Sequence, residues 1–487
     1  MTFVSDLEPK ELWHHFDKIL TIPRGSKNEK AIGEYILAIA KKHGFSYKQD
    51  DVGNIAVSKP GTSGYESAPI TILQCHLDMV NEKNADVEHD FTKDPIKPRR
   101  EGDYLKASGT TLGSDNGIGV AAALAVMESD SIQHGPLELL FTVDEETGLT
   151  GAGNLRPGFL QGKQLINMDT EEEGTLYVGC AGGAGINITL PLQYTTRPSD
   201  SVTIDIKLHG LRGGHSGVDI HLQRGNAIKL LVRALYGVYK KTTFELASLT
   251  GGNMHNAIPR EAFATVVVSN NEKDSFEKAL NEKFFAIQNE YKPADPDMEL
   301  SVNTADLAAK IMTNETRQKA LYLLNALPHG VMAMSYDIPD LVETSSNLAT
   351  VNIKDSEMVI HVSNRSSAAS ALQALQDRVA AIGLLAGAKV EELEGYPGWK
   401  PNLDSHVLKV AKEVYKDVLG KEPEVKAVHA GLECGIIGEK YPGMDMVSLG
   451  PQIEFPHSPD ERVRINSVAD FYELLSRVLE RLAREIN

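Results

Sequence analysis

The pattern of apolar and polar residues predicts strands that alternate with helices in residues 1–188 and again in residues 397–487. Apolar runs at residues 70–73, 137–143 and 165–168 have the length of buried strands, and helical patterns lie between them. Such alternation is typical of an α/β fold with a mostly parallel central sheet.

The pattern changes in residues 189–396. Two sets of strands and helices follow one another there, and the first set has the order β-α-β-β-α-β. This order, followed by a weak internal repeat, predicts an α+β domain of two ferredoxin-like halves. The segment YPGWKPN at residues 396–402, rich in Pro and Gly, is a plausible linker back to the α/β part.

Composition excludes several classes of protein. With 487 residues, the chain is too long for one hydrophobic core. Its net charge of -18 argues against nucleic acid or an anionic membrane as the main partner. Three widely spaced cysteines favour a reducing compartment, and no apolar run is long enough to span a membrane. The beginning of the sequence lacks the features of a signal peptide, so we expect a cytoplasmic, soluble protein.

Chemistry-bearing side chains follow the predicted strands. His76 and Asp78 end one segment, and because strand residues two apart point to the same side, both can face one cavity. Three more segments lead to the Gly-rich loop around Asp115, to Asp144-Glu145-Glu146 and to Asp169. Ligands of open parallel sheets bind outside the carboxyl ends of the strands, so four such segments indicate a site there.

The Gly-rich loop GSDNGIG at residues 113–119 precedes an apolar helix, which raises the alternative of a nucleotide site. The dinucleotide fingerprint needs glycines where Ser114, Asp115 and Asn116 stand, and no phosphate-binding lysine follows. A carboxylate in this loop would repel an anion and attract a cation.

The three adjacent carboxylates at residues 144–146 have an ordinary alternative, a solvated acidic turn, since charged residues are mostly exposed. A lone loop histidine such as His457 is also usually an exposed residue. Taken together, however, two imidazoles and three carboxylates suit two divalent cations that share a carboxylate, with zinc, manganese or cobalt as the metal. The candidate ligands are His76, Asp115, Glu146, Asp169 and His457.

Paired metal ions about 3.5–4 Å apart serve hydrolysis, because they lower the pKa of a water molecule and polarise the scissile carbonyl. Neighbouring residues that leave a strand diverge, so one of Glu145 and Glu146 can bind metal while the other takes the proton of the water. Asp78 can hydrogen-bond the His76 imidazole and fix its tautomer.

Six motifs in order along the chain resemble those of the M20 metallopeptidase family: HLD at residues 76–78, GSDNGIG at 113–119, DEETG at 144–148, NMD at 167–169, GGHSG at 213–217 and PHSP at 456–459. Two further segments, GNMHNAIP and HAGLECG, resemble the aminoacyl-histidine dipeptidase branch of that family. The resemblance extends over essentially the whole chain.

The resemblance implies a role for each candidate. Asp115 would bridge two metal ions, His76 and Asp169 would complete one site, and Glu146 and His457 the other. Glu145 would be the general base and acid, and Asp78 would orient His76. Three substrate-binding residues are expected in the middle domain: His215 to stabilise the oxyanion, Arg365 to pair with a free carboxylate, and Asn256. A glycine-turn histidine and a surface arginine are the alternatives for the first two. No role is assigned to Asp144, His255 or Glu433.

The implied architecture is a zinc-peptidase-like catalytic domain, residues 1–188 and 397–487, interrupted by a lid and dimerisation domain, residues 189–396. The implied activity is that of a dipeptidase with two Zn²⁺ per chain, for which Co²⁺ or Mn²⁺ can substitute. It would hydrolyse unsubstituted dipeptides, notably Xaa-His and β-Ala-His (carnosine), as a homodimer. The alternative to the homodimer is a monomer whose doubled lid takes the place of the dimer. The alternatives are an M20 deacylase or aminotripeptidase and, from a different class, an inactive metal-binding scaffold.

Overall fold

The structure is a computed structural model that describes Val4 and residues 6–484. The chain divides into two compact units. The first, here the main unit, comprises Met1–Gly179, Trp399–Ala427 and Leu432–Asn487. The second, here the lid unit, comprises Cys180–Gly398 and Val428–Gly431. The first division therefore lies nine residues before the boundary expected at residue 188, because that boundary falls inside a lid strand.

An eight-stranded sheet forms the centre of the main unit. Its four inner strands are parallel to one another, and antiparallel strands flank them on both sides. This arrangement confirms the predicted α/β fold with a mostly parallel central sheet. In spatial order the strands are Ser46–Gln49, Ile55–Lys59, Leu137–Thr142, Thr71–His76, Gln164–Asn167, Asp445–Ser448, Thr175–Cys180 and Glu424–Val428.

The helices of the main unit differ in how they are buried. Ser114–Glu128 is apolar all round, with the run VAAALAVM, and it is buried almost throughout. Ile465–Arg484 is amphipathic and buries one face, which packs against His406–Leu419. The remaining helices are Lys10–Ile19, Lys30–Lys42, Glu145–Gly148, Thr150–Asn154 and Glu433–Lys440. A small four-stranded sheet has the order Ile453–Glu454, Arg462–Arg464, Tyr104–Ala107 and Pro98–Glu101.

The lid unit has one antiparallel sheet of nine strands. In order they are Glu299–Ala305, Ser201–His209, Ala262–Ser269, Glu245–Gly251, Val342–Lys354, Glu357–Ser366, Gly182–Pro191 and Lys389–Glu392, with Gly330–Met334 paired beside Val342–Lys354. Its helices are Ala227–Tyr239, Lys273–Tyr291, Asn314–Ala326 and Ala369–Leu385, with 3₁₀ turns at Ile220–Leu222 and Asn270–Glu272. Two short ribbons pair Tyr194–Thr195 with Ile311–Met312 and Gly214–His215 with Ala257–Ile258.

Both halves of the lid sheet are ferredoxin-like, as predicted, but the first strand of the second half lies outside the set of segments predicted for it. In the first half the chain order β-α-β-β-α-β gives the spatial strand order 4-1-3-2. The second half has the same order when Gly182–Pro191 is counted as its first strand. That strand precedes the whole first half in the sequence, so the first half is an insertion within the second. Each half buries apolar side chains of its sheet under its helices.

Within residues 6–484, no helix combines the length and the apolar content that crossing a bilayer requires.

Candidate active site

The candidate site lies at the carboxyl edge of the parallel strands of the main unit. Thr71–His76 ends on His76 and pairs on one side with Leu137–Thr142 and on the other with Gln164–Asn167. Because all three run in the same direction, their ends place His76, the residues after Thr142 and those after Asn167 at one edge.

Asp115 reaches the same edge from a different kind of element. It lies in the first turn of Ser114–Glu128, where its backbone is not helical, and the segment before it does not belong to the central sheet. The expectation that a strand delivers this residue is therefore wrong. A Gly-rich loop delivers it instead, because the left-handed Gly113 (φ 72°) turns the chain into the helix.

Asp115 lies between the two candidate histidines. Its Oδ1 is 3.0 Å from His76 Nε2, and its Oδ2 is 3.2 Å from His457 Nε2. Asp169 Oδ1 lies 3.3 Å from His76 Nε2, and Glu146 Oε2 lies 3.0 Å from His457 Nε2. The five residues thus form two groups of three that have Asp115 in common, each with its ligand atoms within 4.8 Å of one another.

Asp78 lies beside the His76 imidazole and holds the acidic turn by hydrogen bonds. Its Oδ1 lies 3.3 Å from His76 Nδ1, and its carboxylate accepts hydrogen bonds from the backbone N–H of Glu145 (3.0 Å) and Glu146 (3.2 Å) and from the Ser26 hydroxyl (2.8 Å). Burial alone would raise the pKa of Asp78, but the imidazole and these donors lower it to about 2. Asp78 is therefore a permanent carboxylate that joins two strand ends.

Glu145 lies among the candidate ligands, and burial shifts the pKa of its carboxyl. It lies with His76 and Glu146 in a third group of potential donors. Burial raises the pKa of Glu145 well above its usual range; His76 opposes this, and the charges of Asp169 and Glu146 add to it. A carboxylate with a raised pKa holds a transferred proton more readily than an ordinary one.

The donor set fits two divalent cations. Glu146 Oε1 is buried and has no hydrogen-bond donor among the described residues, which is costly for a carboxylate unless a cation faces it. Hydrogen bonds to Asp115 and Glu146 raise the pKa of His457 to about 11, so an excess of negative charge surrounds this imidazole. Imidazole nitrogens and carboxylate oxygens are the ligands that zinc and related ions accept.

The sequence did not identify two buried charged residues beside the site, Arg24 and Glu461. Arg24 Nη1 donates to the carbonyl oxygens of Leu77 (2.9 Å) and Asp78 (2.6 Å), and Nη2 donates to that of Gly113. Glu461 accepts hydrogen bonds from the backbone of the same Gly113 loop. Its position four residues after His457 was the only available signal.

A layer of buried polar side chains was also missed. Asn167 Nδ2 donates to Gln74 Oε1 (2.5 Å), and Gln74 Nε2 donates to Glu433 (2.6 Å). The Thr142 hydroxyl also donates to Glu433 (2.7 Å), and burial raises the pKa of this carboxyl to about 7. Gln74 and Asn167 each stand two residues before a candidate ligand. The strand period therefore places them on the same face as the ligand, one step below it.

Glu171, two residues after Asp169, is another acidic residue near the site that the sequence pattern did not predict. Burial, and then the charges of Asp115 and Asp169, raise the pKa of Glu171 well above its usual range.

Asp144 is buried and shapes the acidic turn. It has a left-handed backbone (φ 51°), and its side chain accepts hydrogen bonds from the Thr147 and Thr150 hydroxyls.

In the lid unit, His215 lies on the short ribbon with Ala257–Ile258. Its Nδ1 accepts hydrogen bonds from the backbone N–H of Gly217 (3.2 Å) and Val218 (3.0 Å). The proton of the neutral ring is therefore on Nε2, which is left as a donor. Burial and the nearby Arg365 lower the pKa of His215 to about 4.

Arg365 is close to His215 across Gly217. A Cβ atom added at Gly217 would lie 3.1 Å from His215 Cε1, 3.2 Å from Arg365 Nε and 2.2 Å from the His429 carbonyl oxygen. Only glycine fits there. Arg365 Nη1 donates to Tyr396 Oη (2.7 Å), while its buried Nε has no acceptor among the described residues. These residues around Gly217, namely His215, Arg365 and His429, are called the lid cluster below.

Asn256, beside the lid cluster, and His429, its third member, differ in their roles. Asn256 accepts the backbone N–H of Ser216 with its carbonyl oxygen (2.8 Å), so it supports the ribbon that carries His215. His429, which the sequence left unassigned, exchanges a 2.7 Å hydrogen bond with Ser345, and burial lowers its pKa to about 3. Its segment, Val428–Gly431, belongs to the lid unit although the flanking chain does not.

The fold and the two groups of candidate ligands point to the class of metallopeptidases, hydrolases that act on peptide bonds. Residues 72–481 match peptidase family M20/M25/M40. The chain is 43% identical over 482 residues to the cytosol non-specific dipeptidase of Escherichia coli strain K12, covering 99% of both chains. The chain therefore belongs to peptidase family M20/M25/M40.

Solved structures agree with this assignment. The crystal structure of aminoacylhistidine dipeptidase from Vibrio alginolyticus is similar with a TM-score of 0.92 and 42% identity, over 98% of this chain and 97% of that one. Aminopeptidase PepT from Bacillus cereus shares the fold with a TM-score of 0.57 and 17% identity, over 98% and 100% of the two chains.

Proposed function

We propose that this chain is a di-zinc dipeptidase that hydrolyses unsubstituted dipeptides, notably Xaa-His and β-Ala-His. As a metallo-dipeptidase of its family, it cleaves small peptides. The observation that carries the finer proposal is the pair of ligand groups joined by Asp115. The names of the two relatives above 40% identity, a non-specific dipeptidase and an aminoacylhistidine dipeptidase, support the substrate class.

His76, Asp115 and Asp169 would hold one ion, and Asp115, Glu146 and His457 the other. Two divalent ions held there would polarise the scissile carbonyl and lower the pKa of a water molecule. Zinc suits the mixed nitrogen and oxygen donors, and Co²⁺ or Mn²⁺ are accepted by the same set. Asp78 keeps His76 in the tautomer whose Nε2 faces Asp115.

Glu145 moves the proton in this proposal. It accepts a proton from the water whose oxygen attacks the carbonyl carbon, and it then gives that proton to the nitrogen of the leaving amine as the C–N bond breaks. Its raised pKa favours the protonated form that the second step requires. Its neighbour Glu146 would hold a metal ion, which is the division of roles expected for adjacent residues that diverge from a strand end.

The lid cluster supplies the substrate contacts. His215 presents Nε2–H as a neutral donor that suits a developing oxyanion. Arg365 has a guanidinium nitrogen, Nε, that finds no acceptor in the described part of the chain, and it suits the free carboxylate of a dipeptide. Asn256 is assigned to substrate binding through its place beside His215.

We also propose a cytoplasmic location and a homodimer, in which the lid contributes to dimerisation.

A panel of substrates tests this proposal. Protein reconstituted with Zn²⁺ should hydrolyse Ala-His, β-Ala-His and other free dipeptides, and metal analysis should find two ions per chain. Activity only on tripeptides or N-acetyl amino acids would assign an aminotripeptidase or a deacylase instead. Protein that binds no metal and is unaffected by chelators would contradict the mechanism as a whole.

A further inference from the structure

The loop that presents Asp115 is held by a carboxylate outside the ligand set. Glu461 Oε2 accepts the backbone N–H of Leu112 (2.7 Å) and Gly113 (2.9 Å), and Oε1 accepts the N–H (2.7 Å) and the hydroxyl (2.5 Å) of Ser114. The N–H of Asp115 lies 3.4 Å from the same oxygen. One carboxylate, 2% exposed, thus binds four successive backbone N–H groups.

Arg24 holds the same loop from its carbonyl side. Its guanidinium donates to the Gly113 carbonyl oxygen and to those of Leu77 and Asp78, the residues that follow His76. A Cβ atom at Gly113 would lie 2.7 Å from Arg24 Nη2, so the loop packs directly on this side chain. Two buried charges of opposite sign therefore fix the peptide groups just before Asp115.

Glu461 also belongs to the segment that carries His457, four residues earlier in the chain. The intervening turn is closed by a hydrogen bond from the Glu461 N–H to the Ser458 carbonyl oxygen (3.0 Å). Any displacement of the Glu461 carboxylate therefore changes the position of Asp115 relative to His457, and these are the two residues whose side chains lie 3.2 Å apart.

We propose that Glu461 is a positioning residue of the metal centre: it holds Asp115 at the distance from His457 that the shared ion requires. This inference rests on the proposed function, in which both residues are ligands. Glu461 itself is not one of the candidate ligands. Its contribution is to fix the backbone of one ligand from the segment of the other, as outer partners of metal ligands do.

The test is the substitution Glu461→Gln. Glutamine keeps the size of the side chain but replaces one acceptor oxygen by an NH₂ group, which faces backbone N–H donors and cannot accept from them. We expect the apparent affinity for the more weakly bound of two Zn²⁺ ions to fall by about 10- to 100-fold. Titration calorimetry of the metal-free protein measures this, and the visible spectrum of the Co²⁺-loaded protein should change as the ligand geometry relaxes.

Glu138 provides a matched control in the same unit. It is 5% exposed, and its carboxylate accepts the backbone N–H of Gln161 (2.8 Å) and Gly162 (2.9 Å). Glu138→Gln therefore also removes a buried carboxylate from backbone donors, but from a loop without a candidate ligand. It should lower the melting temperature while leaving the Zn²⁺ affinity and the Co²⁺ spectrum as in the wild type.

The outcomes separate this inference from the proposed function. If the wild type binds two ions and Glu461→Gln binds them equally well, or if both variants weaken binding equally, Glu461 has no positioning role and the proposed function stands. If the wild type binds no ion, the proposed function fails first. Should Glu461→Gln not fold, Ser114→Ala decides, because it removes only the hydroxyl donor: weaker Zn²⁺ binding supports the inference, and unchanged binding overturns it.

Discussion

Four histidines of this protein form two pairs with opposite electrostatics. In the main unit, hydrogen bonds to carboxylates raise the pKa of His457 to about 11, and the pKa of His76 is also raised, since its carboxylate neighbours outweigh burial. In the lid cluster, burial and the charge of Arg365 lower the pKa of His215 to about 4 and that of His429 to about 3. The residue type is the same, and its neighbours decide its charge.

These opposite pKa shifts indicate which ligands each region can bind. Imidazoles surrounded by carboxylates belong to a site that attracts cations, and in the proposed function they would serve as ligands after giving up their protons. Imidazoles kept neutral beside an arginine belong to a site that attracts carboxylates and carbonyl oxygens. A dipeptidase needs both kinds of site, one for the metal ions and one for the substrate.

The largest expected effect on activity comes from the carboxylates of the main unit. Glu145→Gln should lower kcat for Ala-His by about 10²- to 10⁴-fold, because it removes the proton acceptor. The content of bound metal should remain that of the wild type, since no ligand is changed. Elemental analysis and steady-state kinetics check this together. If Glu145→Gln loses metal along with activity, Glu145 is itself a ligand. The proposed division of roles, with Glu145 as proton acceptor and Glu146 as metal ligand, would then be wrong.

The next effect tests the neutral donor of the lid cluster. His215→Ala should lower kcat by about 10²-fold, as removal of an oxyanion donor does, with the metal content unchanged. His209→Ala is the matched control, because His209 is a half-buried lid histidine that bonds Ser301 on a neighbouring strand. If both variants lose activity equally, the effect is one of lid folding and the role of His215 is wrong.

The third prediction tests the positive charge of Arg365, which lies close to His215. Arg365→Met should raise KM for Ala-His about 10- to 100-fold, since a hydrogen bond to a charged group contributes about 1.5–3 kcal/mol. The corresponding dipeptide amide lacks the carboxylate, so its KM should change little. An equal change for both substrates would show that Arg365 supports the lid and does not bind the carboxylate.

The smallest effect concerns Asp144. Thr150→Ala removes the hydroxyl that donates to this buried carboxylate, and the free energy of unfolding should fall by about 1 kcal/mol. Thr92→Ala is the control, because Thr92 makes the same kind of bond to Asp90 in an exposed turn. It should change stability by less than about 0.5 kcal/mol. Denaturant unfolding measures both, and equal values would mean that Asp144 does not stabilise the acidic turn.

Much of the fold could be predicted because the relevant signals are local. Apolar runs of strand length at residues 70–73, 137–143 and 165–168 correspond to inner strands of the central sheet. The first ferredoxin-like half was also predicted, because its strands and helices follow one another in the chain. The prediction of the second half was incomplete, because its first strand, Gly182–Pro191, pairs with Glu357–Ser366, which lies far along the sequence.

The residues of the candidate site also divide into those that local sequence signals predict and those that they do not. His76, Glu146 and Asp169 were selectable because each follows an apolar strand, where a charged residue is unexpected. Gln74 and Glu433 gave no such signal, because a buried glutamine or glutamate resembles a surface residue when its partners are unknown. Their hydrogen bond joins residues 359 positions apart.

By itself the sequence determined which residues end the strands, and therefore which side chains can meet at one edge of the sheet. Only the tertiary structure decided the distances, the burial and the charges among them. Carboxylates and imidazoles titrate according to their neighbours, and those neighbours come from distant segments. Arg24 and Glu461 are an example: they converge on one loop from positions more than four hundred residues apart, and only the folded chain brings them together.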